Sequence, residues 1–463
     1  MSLSKQKKNR YEIDMCNGSV MDKLISFSIP LMLSGILQLL FNAVDIIVVG
    51  RFTGSHALAA VGSTTALINV FTNLFIGVSL GANVLAARFY AANREREMSE
   101  TVHTAITFAL ISGVVMVFVG LLFSRGALEL MDTPADVIEQ STLYMRIYFS
   151  GMPFFMMYNY GAAILRAIGD TKRPLMFLII AGITNALLNL LLVIVFHLGV
   201  AGVAIATVIA QMISCILVLR CLYKTDSCYQ LRFSKLVLKW DCLKQIFQVG
   251  IPAGIQSTVI NFSNVLLQSS VNSFGSVAMA GYTAANNIFG FLFASVNSIT
   301  QACMSFTSQN YGVGKWKRMD KVLRNCILLS VIVSILLGGG SYIFGPELLK
   351  IYTSDQAVIQ CGMEILLYTT VTYFMCGLMD LFPGALRGMG YSAVPMLLSV
   401  IGTVGTRVVW IFWIFPKHRE LDVLFISYPA SWLVTIILQV ICYYFVRKKV
   451  KKKFQISGSL SKM

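Results

Sequence analysis

Stretches of twenty or more residues with almost no charge recur from residue 24 to residue 446. A helix needs about 20 apolar residues to cross roughly 30 Å of hydrocarbon, so each run is long enough to span a bilayer. Only 13% of the residues are charged and 56% are hydrophobic, with a mean hydropathy of +0.73. An ordinary soluble domain carries about 25% charged residues, which excludes a water-facing globule. The pattern predicts an all-α polytopic membrane protein. Residues 1–23 are polar and basic and show no cleavable signal of the usual build.

Read in order, the runs give twelve spans, at 24–49, 59–86, 102–123, 140–164, 175–197, 200–220, 246–273, 278–308, 325–345, 360–385, 394–415 and 422–446. Of 37 Lys and Arg residues, 30 fall on one side of this arrangement. They include Lys5, Lys7, Lys8, Arg10 and Lys23, the loop from Arg220 to Lys244, and the tail from Arg447. The opposite loops hold Arg51, Arg125, Lys350, Lys417 and Arg419. By the positive-inside rule both termini and the central loop are cytoplasmic, in a multi-pass protein of the cell membrane. The net charge of +16 therefore reads as orientation, with no nucleic-acid partner. The tail VRKKVKKKF also suits contact with anionic membrane lipid. Ten cysteines form no CxxC pair and have no His at metal-ligand spacing, so neither a disulfide framework nor a zinc site is expected.

The second half repeats the first. FSIPLM (27–32) corresponds to VGIPAG (249–254), with Pro30 over Pro252. At nearly the same displacement GSHALAAVG matches GSVAMAGYT, and Tyr90, Arg94 and Met98 match Tyr311, Lys315 and Met319. AILRAIGDTKRP matches GALRGMGYSAVP, pairing Leu165, Arg166, Gly169 and Pro174 with Leu386, Arg387, Gly390 and Pro395. Six spans per repeat is an even number, so both halves enter the membrane from the same side as parallel six-helix repeats, an architecture of secondary transporters. The expected organisation is an N-terminal segment 1–23, an N-lobe 24–220, a linker loop 221–244, a C-lobe 245–446 and a basic tail 447–463.

Ionisable groups at membrane depth are costly and point to function. The acids within spans are Asp45, Glu364 and Asp380. Glu364 and Arg146 lie near span ends, where long side chains reach the interface. Gln38, Asn42 and Asp45 share one helix face at i, i+4 and i+7. Asn185 and Asn189 emerge together from span five, and Thr207 and Gln211 do so from span six. Asp45, Asn185, Asn189 and Thr207 would make an oxygen-rich cluster of one negative charge, able to take a proton or coordinate Na⁺. The second half carries a different stripe, Asn261, Asn264, Gln268 and Asn272, with Asp380 in span ten. Asp380 is matched by Asn159, and Asp45 by Leu266 or Leu267, so the halves are not equivalent. Phe154, Phe155, Met156, Met157, Tyr158 and Tyr160 cluster in span four and suit a pliable cavity for flat hydrophobic cations. Gln38, Asn42, Met156, Tyr158, Asn159, Asn261, Asn264, Gln268 and Asp380 are the candidate cavity residues.

These features resemble the multidrug and toxic compound extrusion (MATE) family over residues 22–446. The resemblance rests on VDxxxVG in span one, PFFMMYNYGAAILRAIGDTKRP around spans four and five, and NxxxN followed by LGVAGVAIAT in spans five and six. It implies a V-shaped pair of bundles exporting organic cations in exchange for H⁺ or Na⁺, without an enzymatic activity or a cofactor. Asp45 matches the family's span-one acid, Asn185 the first polar position of span five, and Thr207 the hydroxyl position of span six. Asn189 stands where some members have Asp, leaving one carboxylate in place of two. The set resembles the DinF-like branch more than the NorM-like branch, whose acids lie in spans seven and ten. The implied function is a secondary multidrug antiporter, monomeric, with Asp45 as coupling carboxylate and toxic organic cations as partners. The alternative is a flippase for lipid-linked oligosaccharides, which requires a basic cavity that only Arg407 and Arg146 could supply. A membrane-embedded enzyme finds no support in four scattered histidines and the lack of an HExxH motif.

Overall fold

The computed structural model describes residues 10–131 and 133–460; Lys5, Lys7 and Lys8 of the expected N-terminal segment and Lys462 of the tail lie outside the described residues. Among the described residues the chain is helical, with no strand. The first half holds α1 (Val20–Phe52), α2 (Ser55–Ala91), α3 (Glu95–Glu129), α4 (Ile138–Ser150), α5 (Met152–Ala167), α6 (Lys172–Leu190) and α7 (Gly199–Tyr223). The second half holds α8 (Trp240–Asn272), α9 (Ser276–Gly312), α10 (Trp316–Ile343), α11 (Gly345–Lys350), α12 (Gln356–Thr370), α13 (Tyr373–Gly388), α14 (Ala393–Ser399), α15 (Thr406–Val409) and α16 (Leu421–Leu460).

These make twelve transmembrane spans, six to a repeat. Nine helical stretches among the described residues are long and apolar enough to cross a bilayer unaided. The pair α12 and α13, bent by 42°, completes a tenth. The helix α8 is long enough at 33 residues, but Gln256, Asn261, Asn264 and Gln268 dilute its apolarity. The expected continuous span 140–164 is divided at Gly151 into α4 and α5, with 13 and 16 residues. Pro153 sits in the first turn of α5, where its missing N–H donor costs a helix nothing. Side chains such as Phe118, Leu122 and Phe123 stand exposed on α3. Apolar surface of this extent marks a lipid-facing belt.

The repeat is visible in the turns. Gly54 (φ 97°) and Gly275 (φ 95°) precede α2 and α9, each 37 residues long. Both glycines occupy the left-handed region that a side chain disfavours. After α5 and α13, Gly169 (φ 96°) and Gly390 (φ 91°) close matching turns. In one, Asp170 N–H donates to Leu165 O, and in the other Tyr391 N–H donates to Leu386 O, both at 2.9 Å.

The chain forms two compact units. Among the described residues, one comprises 10–13 with 33–250, and the other comprises 14–32 with 251–460. The divisions run through α1 and α8, close to Pro30 and Pro252. Proline removes a helical hydrogen bond and bends the axis, so the two stretches of one helix can join different cores. The first unit buries Met98, Phe149, Tyr160, Tyr229 and Ile246, and the second Tyr282, Tyr373, Phe425 and Trp432.

Candidate functional site

Three helices of the first unit, α1, α6 and α7, assemble the polar cluster. Close approach of α1 to α6 depends on Gly182, where a Cβ would overlap the ring atoms of Phe41. One helical turn beyond Phe41 on the same helix is Asp45. After Asn189, the π-helical stretch Leu191–Val195 widens the helix, and His197 (φ 54°) and Gly199 (φ 55°) reverse the chain into α7. Wide turns of this kind often mark functional positions.

A directed chain of hydrogen bonds links the cluster. Thr207 Oγ donates to Val203 O at 3.0 Å and accepts from Asn185 Nδ2 at 3.4 Å. Asn189 Nδ2 donates to Asn185 Oδ1 at 3.1 Å and to Asp45 Oδ1 at 2.5 Å. All four expected cation-coupling residues therefore meet. Asn185 and Asn189 are buried, while Asp45 and Thr207 are half-buried. Two buried carbonyl oxygens, Asn189 Oδ1 and Gln211 Oε1, have no hydrogen-bond partner among the described residues. Of the two, only Asn189 Oδ1 belongs to a residue in contact with the carboxylate. One carboxylate among neutral amide and hydroxyl oxygens is chemically able to take up a proton or a hard monovalent cation. Tyr144 and Tyr148 lie within electrostatic range of Asp45. Sequence reasoning misses both, because their approach depends on how α4 packs.

The expected cavity residues divide. Gln38 and Asn42 are exposed on α1. Asn159 is tied to its own helix, Nδ2 donating to Phe155 O at 2.8 Å, and Tyr158 OH donates to Pro174 O at 3.3 Å. Met156 is a correction: it is fully enclosed in the core of the first unit, with the Ser112 hydroxyl 3.2 Å from its sulfur, and lines no cavity there. The helical period places it on the inner face of α5. In the second unit Asn261 is exposed, Gln268 donates to Asn272 Oδ1 at 2.8 Å, and Asn264 accepts from Arg407 at 2.8 Å. Asp380 is half-buried, with Arg387 the cation that acts on it. Arg387 itself donates to Gln256 Oε1 at 2.7 Å.

Known proteins match this chain along most of its length. The MatE family profile fits residues 30–191 and again 252–413, so that one copy begins at Pro30 and the other at Pro252. The probable multidrug resistance protein YoeA of Bacillus subtilis is 30% identical over 442 residues, covering 93% of this chain and 95% of that one. The probable multidrug resistance protein NorM of Thermotoga maritima is 25% identical, with coverage of 95% and 93%. Among solved structures, an outward-facing multidrug resistance MATE family transporter superposes with a TM-score of 0.88 at 19% identity, over 96% of this chain and 100% of that one. Twelve spans, a twofold repeat, and a family profile that fits each repeat in register lead to one conclusion: the chain belongs to the multidrug and toxic compound extrusion (MATE) family of membrane transporters.

Proposed function

We propose that this protein is a secondary multidrug exporter of the cell membrane, exchanging amphiphilic organic cations for H⁺ or Na⁺ by alternating access, with Asp45 as the coupling carboxylate. The observation that carries the proposal is the contact of Asp45 with Asn189 inside a cluster closed by Asn185 and Thr207. The names of the relatives, multidrug resistance proteins, support the substrate class. The charge bias supports cytoplasmic termini, and the protein acts as a single chain.

The chemistry follows from counting charge. One carboxylate among neutral amides and a hydroxyl holds one unit of positive charge, carried by a proton or by one monovalent cation. With the site empty, Asn189 supplies an N–H to the carboxylate. With the site filled, the demand for that donor falls and the α1–α6 contact loosens. The bend at Pro30 lets the rest of α1 respond. Binding one cation from outside thus favours a different packing of α1 from the one that receives drug from the cytoplasm, and differential affinity for two states is what exchange requires.

The test is efflux of a fluorescent organic cation from proteoliposomes while proton and sodium gradients are imposed separately. Wild-type protein responds to at least one gradient, and which one identifies the ion. Asp45→Asn is expected to abolish the response while leaving equilibrium binding of the dye measurable. Gradient-driven efflux that persists in Asp45→Asn sinks the proposal.

A further inference from the structure

The second unit holds a buried ionisable cluster that the exchange mechanism does not use. Arg407 stands on α15 between two π-helical stretches, Val400–Gly405 and Trp410–Ile414, and its side chain is buried. Its Nη1 donates to Ser263 Oγ at 3.0 Å and to Asn264 Oδ1 at 2.8 Å, both on α8. Its Nε donates to Ser431 Oγ on α16 at 3.4 Å. The guanidinium lies 4.6 Å from the centre of the Tyr428 ring, and the Tyr428 hydroxyl is 2.9 Å from that of Tyr282. Every one of these partners is neutral. Among the described residues no carboxylate pairs with Arg407, and no protein acceptor takes the two N–H groups of Nη2.

The register of the repeat gives this arrangement its meaning. The displacement that carries Pro30 onto Pro252 sets Arg407 opposite Asn185, Asn264 opposite Asn42, and Leu267 opposite Asp45. In each unit the first and fifth spans thus bring one ionisable group and an amide together, with the sign reversed. Among the described residues, the first unit holds a carboxylate that lacks a cation. The second holds a guanidinium that lacks an anion.

A guanidinium withdrawn from water is strongly disfavoured unless paired. Hydroxyl and amide oxygens offset part of that cost, and the face of Tyr428 offsets another part. Neither supplies negative charge. The guanidinium fork matches a carboxylate or a spherical anion through parallel N–H donors, and its outer edge has no acceptor among the described residues. We propose that Arg407, with Ser263, Asn264 and Ser431, forms an anion site that takes one small monovalent anion, either chloride or the carboxylate of a zwitterionic substrate. This site goes beyond cation exchange at Asp45 and does not depend on it.

Two measurements on the full chain test it. The first follows the thermal unfolding midpoint of the detergent-purified protein as sodium chloride replaces sodium gluconate at constant sodium and ionic strength. The second compares binding of a fluorescent zwitterionic fluoroquinolone with that of its methyl ester. A saturable chloride-dependent rise identifies the inorganic anion. A loss of about tenfold in affinity for the ester, the scale of one charge-assisted hydrogen bond, identifies the substrate carboxylate. Arg407→Gln is expected to erase whichever response the wild type shows, and Asp45→Asn is expected to keep it. Should Arg407→Gln fail to fold, Arg407→Lys decides. Lysine keeps the charge without the fork, so a weakened response supports the site and an unaltered one counts against it. A wild-type protein indifferent in both measurements overturns the proposal, as does a response that survives intact in Arg407→Gln.

Discussion

In the first unit a carboxylate on span one reaches span five through Asn189; in the second, a guanidinium on span five reaches span one of its own repeat through Asn264. The surrounding turns match closely, with φ of 97° at Gly54 and 95° at Gly275. Duplication has therefore kept the backbone while the polar chemistry diverged. The reason is physical. Turn geometry is set by a few glycines whose conformation nothing else adopts cheaply. A buried ionisable group needs only one or two partners within hydrogen-bond reach, so it can change sign once its neighbours are neutral. Amides serve both clusters because an amide donates to a carboxylate as readily as it accepts from a guanidinium.

The strongest way to break the comparison is to remove charge from the first unit alone. Asp45→Asn leaves that cluster wholly neutral, and the gradient-driven component of efflux is expected to be abolished, the largest effect of the series. Initial rates in proteoliposomes under an imposed gradient measure it. The chloride response assigned to Arg407 is expected to remain, which separates the two clusters experimentally.

A second break acts through packing alone. Gly182→Ala places a methyl group within the ring of Phe41, and overpacking of this kind costs about 1–3 kcal/mol. The strain falls on the α1–α6 contact that brings Asp45 to Asn189. Efflux is expected to drop about tenfold with the protein still inserted, since about 1.4 kcal/mol corresponds to a factor of ten. Trimming the ring, as Gly182→Ala with Phe41→Ala, is expected to recover part of the loss. A double variant no better than the single one places the fault elsewhere.

Asn189→Ala is milder. It removes the donor to Asp45, together with the bond to Asn185 Oδ1, without touching the carboxylate, at about 1–3 kcal/mol for each acceptor left unpaired. Transport is expected to persist at a reduced rate, with the concentration of coupling ion needed for half-maximal efflux changed several-fold. Asn189→Asp supplies a second carboxylate, and is expected to raise the demand for cation in the same assay.

How much of this is legible in the sequence follows from what each inference needs. Span count and the repeat require only runs of apolar residues and a constant displacement, and both are properties of the chain. The meeting of Asp45, Asn185, Asn189 and Thr207 is readable because helical spacing puts each pair of polar residues on one face. Met156 is misread as a cavity residue because periodicity shows that a face is shared without showing whether it turns inward. The partnership of Asn264 with Arg407 spans about as long a stretch of chain as that of Asn189 with Asp45, but periodicity ties Asn264 only to the polar stripe of its own helix and says nothing of the basic group that packing sets against it. The division of α1 and α8 between two units is also invisible, since a proline in a helix announces a bend without announcing what lies on either side.

The smallest expected effect lies in the loops, where the two repeats agree in sign. Near the start of span three, Glu100 binds Lys239, which follows span six of its repeat. Near the start of span nine, Asp320 binds Arg447 through both oxygens at 2.5 Å, and Arg447 follows span twelve. Each repeat thus closes its charged face with one acid on its third span and one base beyond its sixth. The hydrogen bond from Lys239 holds the Glu100 carboxyl below its ordinary value of 4.5. A depressed carboxyl contributes stability above the unfolded value and loses it as pH falls through the folded one. The clasp is therefore complete at neutral pH and weakens only below about pH 4.5. Because Lys239 is well exposed, the pair is worth no more than about 0.2–1 kcal/mol. Hydrogen exchange over residues 224–239 is expected to speed up modestly on acidification in the wild type, and to be fast and insensitive to pH, after correction for intrinsic rates, in Glu100→Gln. Asp320→Asn, breaking a bidentate arginine pair, is expected to loosen the corresponding part of α16 by more than Glu100→Gln loosens the linker. Equal effects would show that the two clasps match in energy as well as in placement.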